Sequence, residues 1–158
     1  MNFFLGNAYA QNFPVKDGKY FVHSTINYDY VWDMDPNSGN LHLWQKHGGA
    51  NQQFIFKSRG DGIYKIFCAQ NGKALDCQYS SQENGANVWL YPFNDSSAQH
   101  WRLKSRDLFK FSVFSEINFS KNPRCIDVTH SNAANGTNLW LYNNNGTAAQ
   151  LWFAEPCN

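Results

Sequence analysis

One short pattern recurs three times along the chain and constrains its fold more than any other feature. A glutamine is followed two residues later by an aromatic residue, at intervals of 47 and 51 residues, in Gln52 with Phe54, Gln99 with Trp101 and Gln150 with Trp152. A run of alternating apolar and aromatic residues ends eight residues before each glutamine, at 41–44, 88–91 and 139–142. A fixed period indicates copies of one unit that pack on each other. The sequence therefore predicts three equivalent units.

Period-two patterns fill each copy, and no segment has the spacing of an amphipathic helix. Alternating stretches at 20–23, 64–67 and 109–113 open the copies, and six Asn-Gly or Asp-Gly pairs supply the positive φ of tight hairpins. Each copy then holds about four strands, and three copies close around a pseudo-threefold axis. This predicts an all-β protein, a β-trefoil of 12 short antiparallel strands, with three buried aromatic residues, Phe54, Trp101 and Trp152.

The predicted domain spans 17–158, with repeats at roughly 17–60, 61–106 and 107–158. Residues 1–16 precede the first repeat, and we expect this N-terminal extension to pack on the domain or to mediate a homodimer. The first six residues carry no Lys or Arg, and their apolar stretch is too short for a signal peptide. We expect a cytoplasmic or non-classically secreted protein, or a mature extracellular form.

The composition excludes several function classes. Charged residues make up 16% of the chain and leave a net charge of +1, so we expect no nucleic-acid partner. No apolar run approaches the roughly 20 residues of a membrane-spanning helix, so we expect no membrane insertion. The four cysteines and five histidines lack the spacing of metal ligands, so we expect no metal and no cofactor. Aromatic residues, in contrast, reach 17%.

An apolar residue followed by an aspartate precedes each glutamine, by 19 residues at Asp33 and by 23 at Asp76 and Asp127. With the repeated Gln-x-aromatic signal and the aromatic residue between them, this pattern resembles the ricin B-type lectin family over nearly all of 17–154. The resemblance implies a multivalent β-trefoil lectin or agglutinin. Its shallow pockets would recognise galactose or N-acetylgalactosamine (GalNAc) on glycans, glycoproteins or glycolipids.

Strand alternation places every second residue of each aromatic run outward, where a ligand, a neighbouring loop or a second subunit covers it. A sugar suits such a surface because its C–H face packs on an aromatic ring while carboxylates and amides bind its hydroxyls. In the family the aspartates match hydroxyl acceptors, Trp44, Tyr91 and Tyr142 match stacking platforms, and Asn51 matches an amide that Ala98 and Ala149 replace. In those two copies the adjacent loop offers the alternatives Asn94, Asn143, Asn144 and Asn145. The predicted carbohydrate-binding residues are Asp33, His42, Trp44, Asn51, Asp76, Trp89, Tyr91, Asn94, Asp127, Trp140, Tyr142 and Asn144.

The glutamines Gln52, Gln99 and Gln150 are predicted to be structural, with a buried amide that bonds the backbone of the Asp-bearing turn and so holds the acceptor. The first copy has a loop four residues shorter than the other two, so Asp33 lies only 11 residues before Trp44, and Asp35 is a competing candidate for the acceptor there. The resemblance implies a disulfide whose first cysteine matches Cys125. Asn144 stands at the position of the second, so we expect this bridge to be absent. Cys68 and Cys77 flank a predicted hairpin, and both a bridge and free thiols stay open for them.

Two other function classes stay open beside the lectin. A β-trefoil protease inhibitor or protein-interaction module would contact its partner through loops. A glycosidase needs two carboxylates across one bond, whereas these aspartates are equivalent under the repeat and fall in three separate sites. No Ser-His-Asp or Cys-His arrangement is visible. We therefore expect no enzymatic activity and no catalytic residue.

Overall fold

The computed structural model describes residues 15–107 and 109–158. Across these residues the chain forms twelve strands and five short 3₁₀ turns, and it contains no α-helix there. The strands are β1 Gly18–Ser24, β2 Tyr30–Met34, β3 Leu41–Gln45, β4 Phe54–Gly60, β5 Ile63–Cys68, β6 Ala74–Cys77, β7 Ala86–Tyr91, β8 Trp101–Arg106, β9 Lys110–Ser115, β10 Arg124–Val128, β11 Leu139–Asn143 and β12 Trp152–Pro156. The 3₁₀ turns lie at Ala50–Gln52, Gln78–Ser80, Ser97–Gln99, Thr129–Ser131 and Ala148–Gln150. The predicted all-β trefoil is confirmed.

Six of the strands close into an antiparallel barrel. β1 pairs with β4, β4 with β5, β5 with β8, β8 with β9, β9 with β12, and β12 with β1. Phe54, Trp101 and Trp152 begin β4, β8 and β12 and are fully buried, as the sequence predicts. Closure leaves the barrel without a free strand edge, so no repeat is complete without its neighbours.

Trp32 also lies in the barrel core. Its ring contacts Phe54 and Trp152 edge-on, with ring centroids 5.6 Å apart in both pairs. Its buried Nε1 has no hydrogen-bond acceptor among the described residues, whereas Trp101 Nε1 donates to the Leu75 carbonyl at 2.9 Å. The core thus contains one buried indole N–H, and no hydrogen bond among the described residues compensates for its loss of contact with water.

The other six strands form three hairpins, β2–β3, β6–β7 and β10–β11. The turn of each hairpin bonds to the aromatic-bearing strand of the next repeat. Gly39 accepts from Leu90 N (2.9 Å), Gly85 donates to the Leu141 carbonyl (2.8 Å), and Gly136 donates to the Leu43 carbonyl (2.8 Å). Gly85 has φ +89°, and a Cβ there would lie 3.5 Å from the Trp140 ring. Each aromatic strand is therefore positioned by the repeat before it.

The first fourteen residues of the predicted N-terminal extension lie outside the described residues. Val15 is buried, and its carbonyl accepts a hydrogen bond from the Tyr64 hydroxyl at 2.6 Å. None of the helical turns in the described residues is long and apolar enough to span a membrane.

All four cysteines are free thiols. Burial raises the pKa of Cys77 to about 11 and that of Cys125 to about 12. These thiols are protonated at neutral pH, and the buried cysteines act as small apolar core residues.

Candidate functional site

A buried aspartate near the end of the second strand of each repeat forms the centre of a candidate site. In repeat 2, Asp76 Oδ1 accepts from the indole Nε1 of Trp89 at 3.0 Å, and Oδ2 accepts from Nε2 of Gln99 at 2.9 Å. In repeat 3, Trp140 and Gln150 donate to the two oxygens of Asp127, each at 2.9 Å. A carboxylate has about four acceptor positions, so each of these groups can accept further hydrogen bonds.

Cross-strand register explains why the aspartate and the indole meet. Asp76 on β6 lies directly opposite Trp89 on β7, and Asp127 on β10 lies directly opposite Trp140 on β11. Directly opposite side chains share one face of an antiparallel pair, close enough for contact. Alternation thus buries the apolar residues of each aromatic run, and cross-strand register brings the indole donor to the carboxylate.

The glutamine connects the aspartate to the loop after the aromatic strand. Gln99 is fully buried, its Oε1 accepts from the backbone N–H groups of Asn94 (2.8 Å) and Asp95 (3.2 Å), and its Nε2 also donates to the Pro92 carbonyl at 3.0 Å. The sequence predicts an amide bonded to the backbone of the Asp-bearing turn. The structure differs, because the amide contacts the carboxylate itself and the backbone of a later loop.

A stacked aromatic pair forms one wall beside each of these two carboxylates. Trp89 and Tyr91 stack with ring centroids 5.1 Å apart and planes 21° apart, and Trp140 and Tyr142 stack at 5.6 Å and 19°. The indoles are half-buried, whereas 42% of Tyr91 and 38% of Tyr142 are exposed. Both aromatic residues of each run are predicted to face outward. The tryptophan holds the aspartate by a hydrogen bond, and the tyrosine exposes one part of its ring to solvent.

The repeat 2 site opens as a cavity of about 260 Å³. This is below the roughly 300–1,000 Å³ of clefts that hold drug-sized ligands, and it suits a smaller one. Its lining combines one carboxylate, aromatic rings, an amide and hydroxyls: Asp76, Tyr79, Ser80, Trp89, Tyr91, Asn94, Ser96 and Ala98.

Four lining residues are absent from the predicted site: Tyr79, Ser80, Ser96 and Ala98. Tyr79 and Ser80 occupy consecutive left-handed positions, with φ of 60° and 51°, in the 3₁₀ turn after the aspartate. His130 and Ser131 repeat the arrangement in repeat 3, with φ of 57° and 54°. A signal for them exists in the sequence, since both copies read Asp-x-x-(Tyr or His)-Ser at the same offset.

The equivalent loop positions of repeats 2 and 3 hold two of the asparagines that the sequence offers for the amide, although the predicted site includes Asn144 in place of Asn145. Asn94 lines the cavity, and its Oδ1 accepts from Ser96 N at 3.0 Å. Its counterpart in repeat 3 is Asn145, whose backbone N–H donates to Gln150 Oε1 at 2.8 Å and whose Oδ1 accepts from Thr147 N at 3.0 Å. The predicted Asn144 is exposed and lies one position away from this arrangement. Asn145 is the equivalent of Asn94, because each of these asparagines lies five residues before the glutamine of its repeat.

Repeat 1 builds a different site around Asp33. His42 takes the place of the indole, with Nε2 at 2.8 Å from Asp33 Oδ1, and Gln52 donates to Oδ2 at 2.8 Å. Nε2 of the exposed His47 lies 3.5 Å from Oδ2. Trp44 is 39% exposed and tilted by 35° against the His42 ring.

The short loop predicted for the first copy explains what this site lacks. β2 turns directly into β3, and the 3₁₀ turn that carries Tyr79 and His130 in the other repeats has no counterpart. Asn51, the predicted sugar amide, donates its Nδ2 to the Met34 carbonyl at 3.1 Å and so braces the Asp-bearing strand.

Burial raises the pKa of the aspartate in the two sites where a tryptophan donates to it, those of repeats 2 and 3. Desolvation raises the pKa of Asp76 and of Asp127 above the ordinary 3.8, while the hydrogen bonds from the tryptophan and the glutamine oppose that shift. Such a group is an acceptor when ionised and loses part of that capacity when it takes up a proton.

Comparison with known families decides among the β-trefoil classes. The family described as "Ricin-type beta-trefoil lectin domain-like" matches residues 9–91 and 50–116. The chain belongs to this lectin-like family. The family resemblance drawn from the repeats is therefore confirmed, and membership supports carbohydrate binding rather than catalysis as the general function.

Known relatives of this lectin-like chain include a haemagglutinin. The chain is 25% identical over 134 residues to the main hemagglutinin components type C and type D of Clostridium botulinum C and D phages. The match covers 83% of this chain, which spans 45% of the length of those proteins.

Solved structures share its fold. The designed threefold-symmetric protein ThreeFoil superposes with a TM-score of 0.81 at 27% identity, over 89% of this chain and 100% of its own. A ricin B-like lectin of Macrolepiota procera, solved in complex with lactose, superposes with a TM-score of 0.75 at 20% identity, over 90% of this chain and 99% of its own.

Proposed function

We propose that this chain is a multivalent lectin that binds terminal galactose-type or GalNAc-type residues of glycans through its Asp-plus-aromatic pockets. The observation that carries the proposal is the repeated unit of buried carboxylate, indole donor and exposed tyrosine. It occurs with the same hydrogen bonds around Asp76 and around Asp127.

The chemistry of the unit suits a pyranose. The exposed rings of Tyr91 and Tyr142 offer flat apolar surfaces for the C–H face of a sugar. The fixed carboxylate beside each ring accepts hydroxyl protons in charge-assisted hydrogen bonds. Since the tryptophan and the glutamine hold both carboxylate oxygens in place, the acceptor is pre-organised and loses little entropy on binding.

The alternatives receive less support from the same geometry. Each aspartate is bonded to the glutamine of its own repeat and serves its own pocket, whereas hydrolysis of a glycosidic bond requires two carboxyl groups that flank one bond. A protein-interaction module would contact its partner through loops, whereas the repeated carboxylate and exposed ring lie in the pockets.

We expect weak binding at each site and stronger binding to clustered glycans. One stacking ring and a few hydrogen bonds, each net of desolvation, correspond to a single-site Kd of about 0.1–1 mM. Two or more engaged sites on one surface raise the effective concentration and multiply these weak contacts. Repeats 2 and 3, which have the complete unit, are the proposed principal sites.

The experiment replaces the platform residues Trp44, Tyr91 and Tyr142 by alanine, singly and together. Titration with galactose measures each site, and agglutination of cells measures multivalency. We expect Tyr91→Ala and Tyr142→Ala each to remove one binding site and their combination to abolish agglutination. Tyr28→Ala, an exposed aromatic residue outside the pockets, is the matched control.

Two results would contradict the proposal. Galactose and GalNAc binding that survives the triple variant would place the sugar elsewhere. A single variant that abolishes all monosaccharide binding, while the others change nothing, would show one site rather than several.

A further inference from the structure

The pockets of repeats 2 and 3 are built on the same plan, and among the residues that line the repeat 2 cavity the largest difference is at one side chain. Both have an aspartate, a stacked Trp–Tyr pair, a buried glutamine and an asparagine in the following loop. Three residues after the aspartate, repeat 2 has Tyr79 and repeat 3 has His130. The two repeats can therefore be compared directly: the aspartate and the stacked Trp–Tyr pair at the base of the pocket are the same, and the residue at its rim differs.

Tyr79 stands at the rim of the repeat 2 cavity. It is 85% exposed, although it lines the same cavity as Asp76 and Tyr91. Its ring centroid lies 6.2 Å from that of Trp89, with the planes 52° apart. Tyr91 is stacked flat on Trp89, so the base of the pocket has its platform already, and the Tyr79 ring extends away from it.

The backbone holds this ring in place at an energetic cost. Tyr79 and Ser80 both adopt left-handed φ values, a backbone conformation that is sterically unfavourable for any residue with a Cβ atom. The turn is held at both ends, because Asn87 donates to Gln78 Oε1 at 3.0 Å and Cys77 Sγ donates to the Ser81 carbonyl at 3.2 Å. Strained, over-determined backbone of this kind supports a hypothesis of function.

His130 occupies the equivalent backbone position in repeat 3 with a smaller, more polar ring. It is exposed, and its ring meets Trp140 edge-on at 5.9 Å and 84°. An edge-on imidazole offers hydrogen-bonding nitrogens but less flat apolar surface than a phenol ring.

We propose that Tyr79 and His130 are specificity-determining residues that contact the second sugar of a bound glycan, the one linked to the terminal residue. Tyr79 gives repeat 2 an additional aromatic surface on which the second sugar ring packs, whereas repeat 3 binds mainly the terminal sugar. This inference rests on the proposed function, since it extends the same pockets. The ligand class is a disaccharide with a terminal galactose-type residue.

The experiment compares two probes at isolated sites. Trp44→Ala with Tyr142→Ala isolates repeat 2, and Trp44→Ala with Tyr91→Ala isolates repeat 3. Calorimetric titration with methyl β-galactoside, which has one ring, and lactose, which has two, gives an affinity ratio for each repeat. We expect the ratio in favour of lactose to be about two- to tenfold higher in repeat 2, the range of one aromatic contact.

Exchange of the two side chains then tests the assignment. Tyr79→His should lower the lactose preference of repeat 2 to that of repeat 3, and His130→Tyr should raise that of repeat 3. Each substitution introduces a residue that the other repeat already carries on the same backbone, so misfolding is not expected. Tyr28→Ala is the control and should leave both ratios as they are.

The outcomes separate this inference from the proposed function. If both probes bind but the two repeats have equal ratios, or if the exchanges leave the ratios unmoved, the specificity assignment is wrong and the lectin proposal stands. If neither probe nor GalNAc binds the unmodified protein, the proposed function fails and this inference fails with it. If GalNAc alone binds, the lectin proposal stands and this inference is wrong.

Discussion

Replacement of Gln99 by alanine removes four hydrogen bonds at once, and their surroundings determine the cost. The amides of Asn94 and Asp95 and the carbonyl of Pro92 belong to exposed residues, so water can replace the lost partner. Asp76, in contrast, is only 5% exposed, and water resolvates poorly its buried Oδ2, the atom that loses the Gln99 donor. One buried charged group without its donor, together with the cavity, corresponds to a loss of about 2–4 kcal/mol in the free energy of unfolding.

Chemical denaturation measures this loss directly, and a thermal melt should show a fall in Tm of about 4–16 °C. Because the hydrogen bond from Gln99 lowers the pKa of Asp76, its removal should also raise that pKa further and weaken galactose binding at repeat 2. Gln53→Ala is the matched control, since Gln53 is half-buried and donates one hydrogen bond, to the Gly48 carbonyl. An unchanged denaturation midpoint for Gln99→Ala would refute the reasoning, and together with lost galactose binding it would make the glutamine a direct sugar ligand.

Two further predictions concern pH and the core. Burial raises the pKa of Asp76 and Asp127, so acid should abolish galactose binding at a pH above the ordinary carboxyl value of 3.8, as titration over a pH series would show. In that range these groups do not destabilise the fold, because the folded chain takes up the proton more readily than the unfolded chain; binding that persists unchanged to pH 3.8 would contradict the assignment. Trp32→Phe should cost about 1–3 kcal/mol less than Trp101→Phe in denaturation, since only the second leaves a buried carbonyl, that of Leu75, without its donor. Equal costs would show that the indole N–H of Trp32 has a partner.

The fold could be predicted from the sequence because its signal is repeated. Any one Gln-x-aromatic pair carries little information, whereas three in register determine a closed assembly of three units. Alternation in 88–91 also predicted correctly that Val88 and Leu90 are buried and that Tyr91 is exposed. These features depend on period and side-chain size, which a sequence displays directly.

The site was predicted less completely, for physical reasons. The inward hydrogen bond of Trp89 depends on cross-strand register, which alternation alone does not determine. Tyr79 was missed because its position depends on two consecutive left-handed residues without glycine, and no propensity predicts them. The bond from Gln99 to the Asp76 side chain joins residues 23 positions apart, so only the folded barrel brings them together.

The bonding of each hairpin turn to the next repeat makes the three pockets mutually dependent in a cycle. A substitution at Gly85, which belongs to repeat 2, would act on Trp140 and so on the pocket of repeat 3. The three copies therefore cannot be altered independently, because a change in one turn is transmitted to the aromatic strand of the neighbouring repeat. The His42–Asp33 pair of repeat 1 likewise includes a residue of the strand that Gly136 of repeat 3 positions.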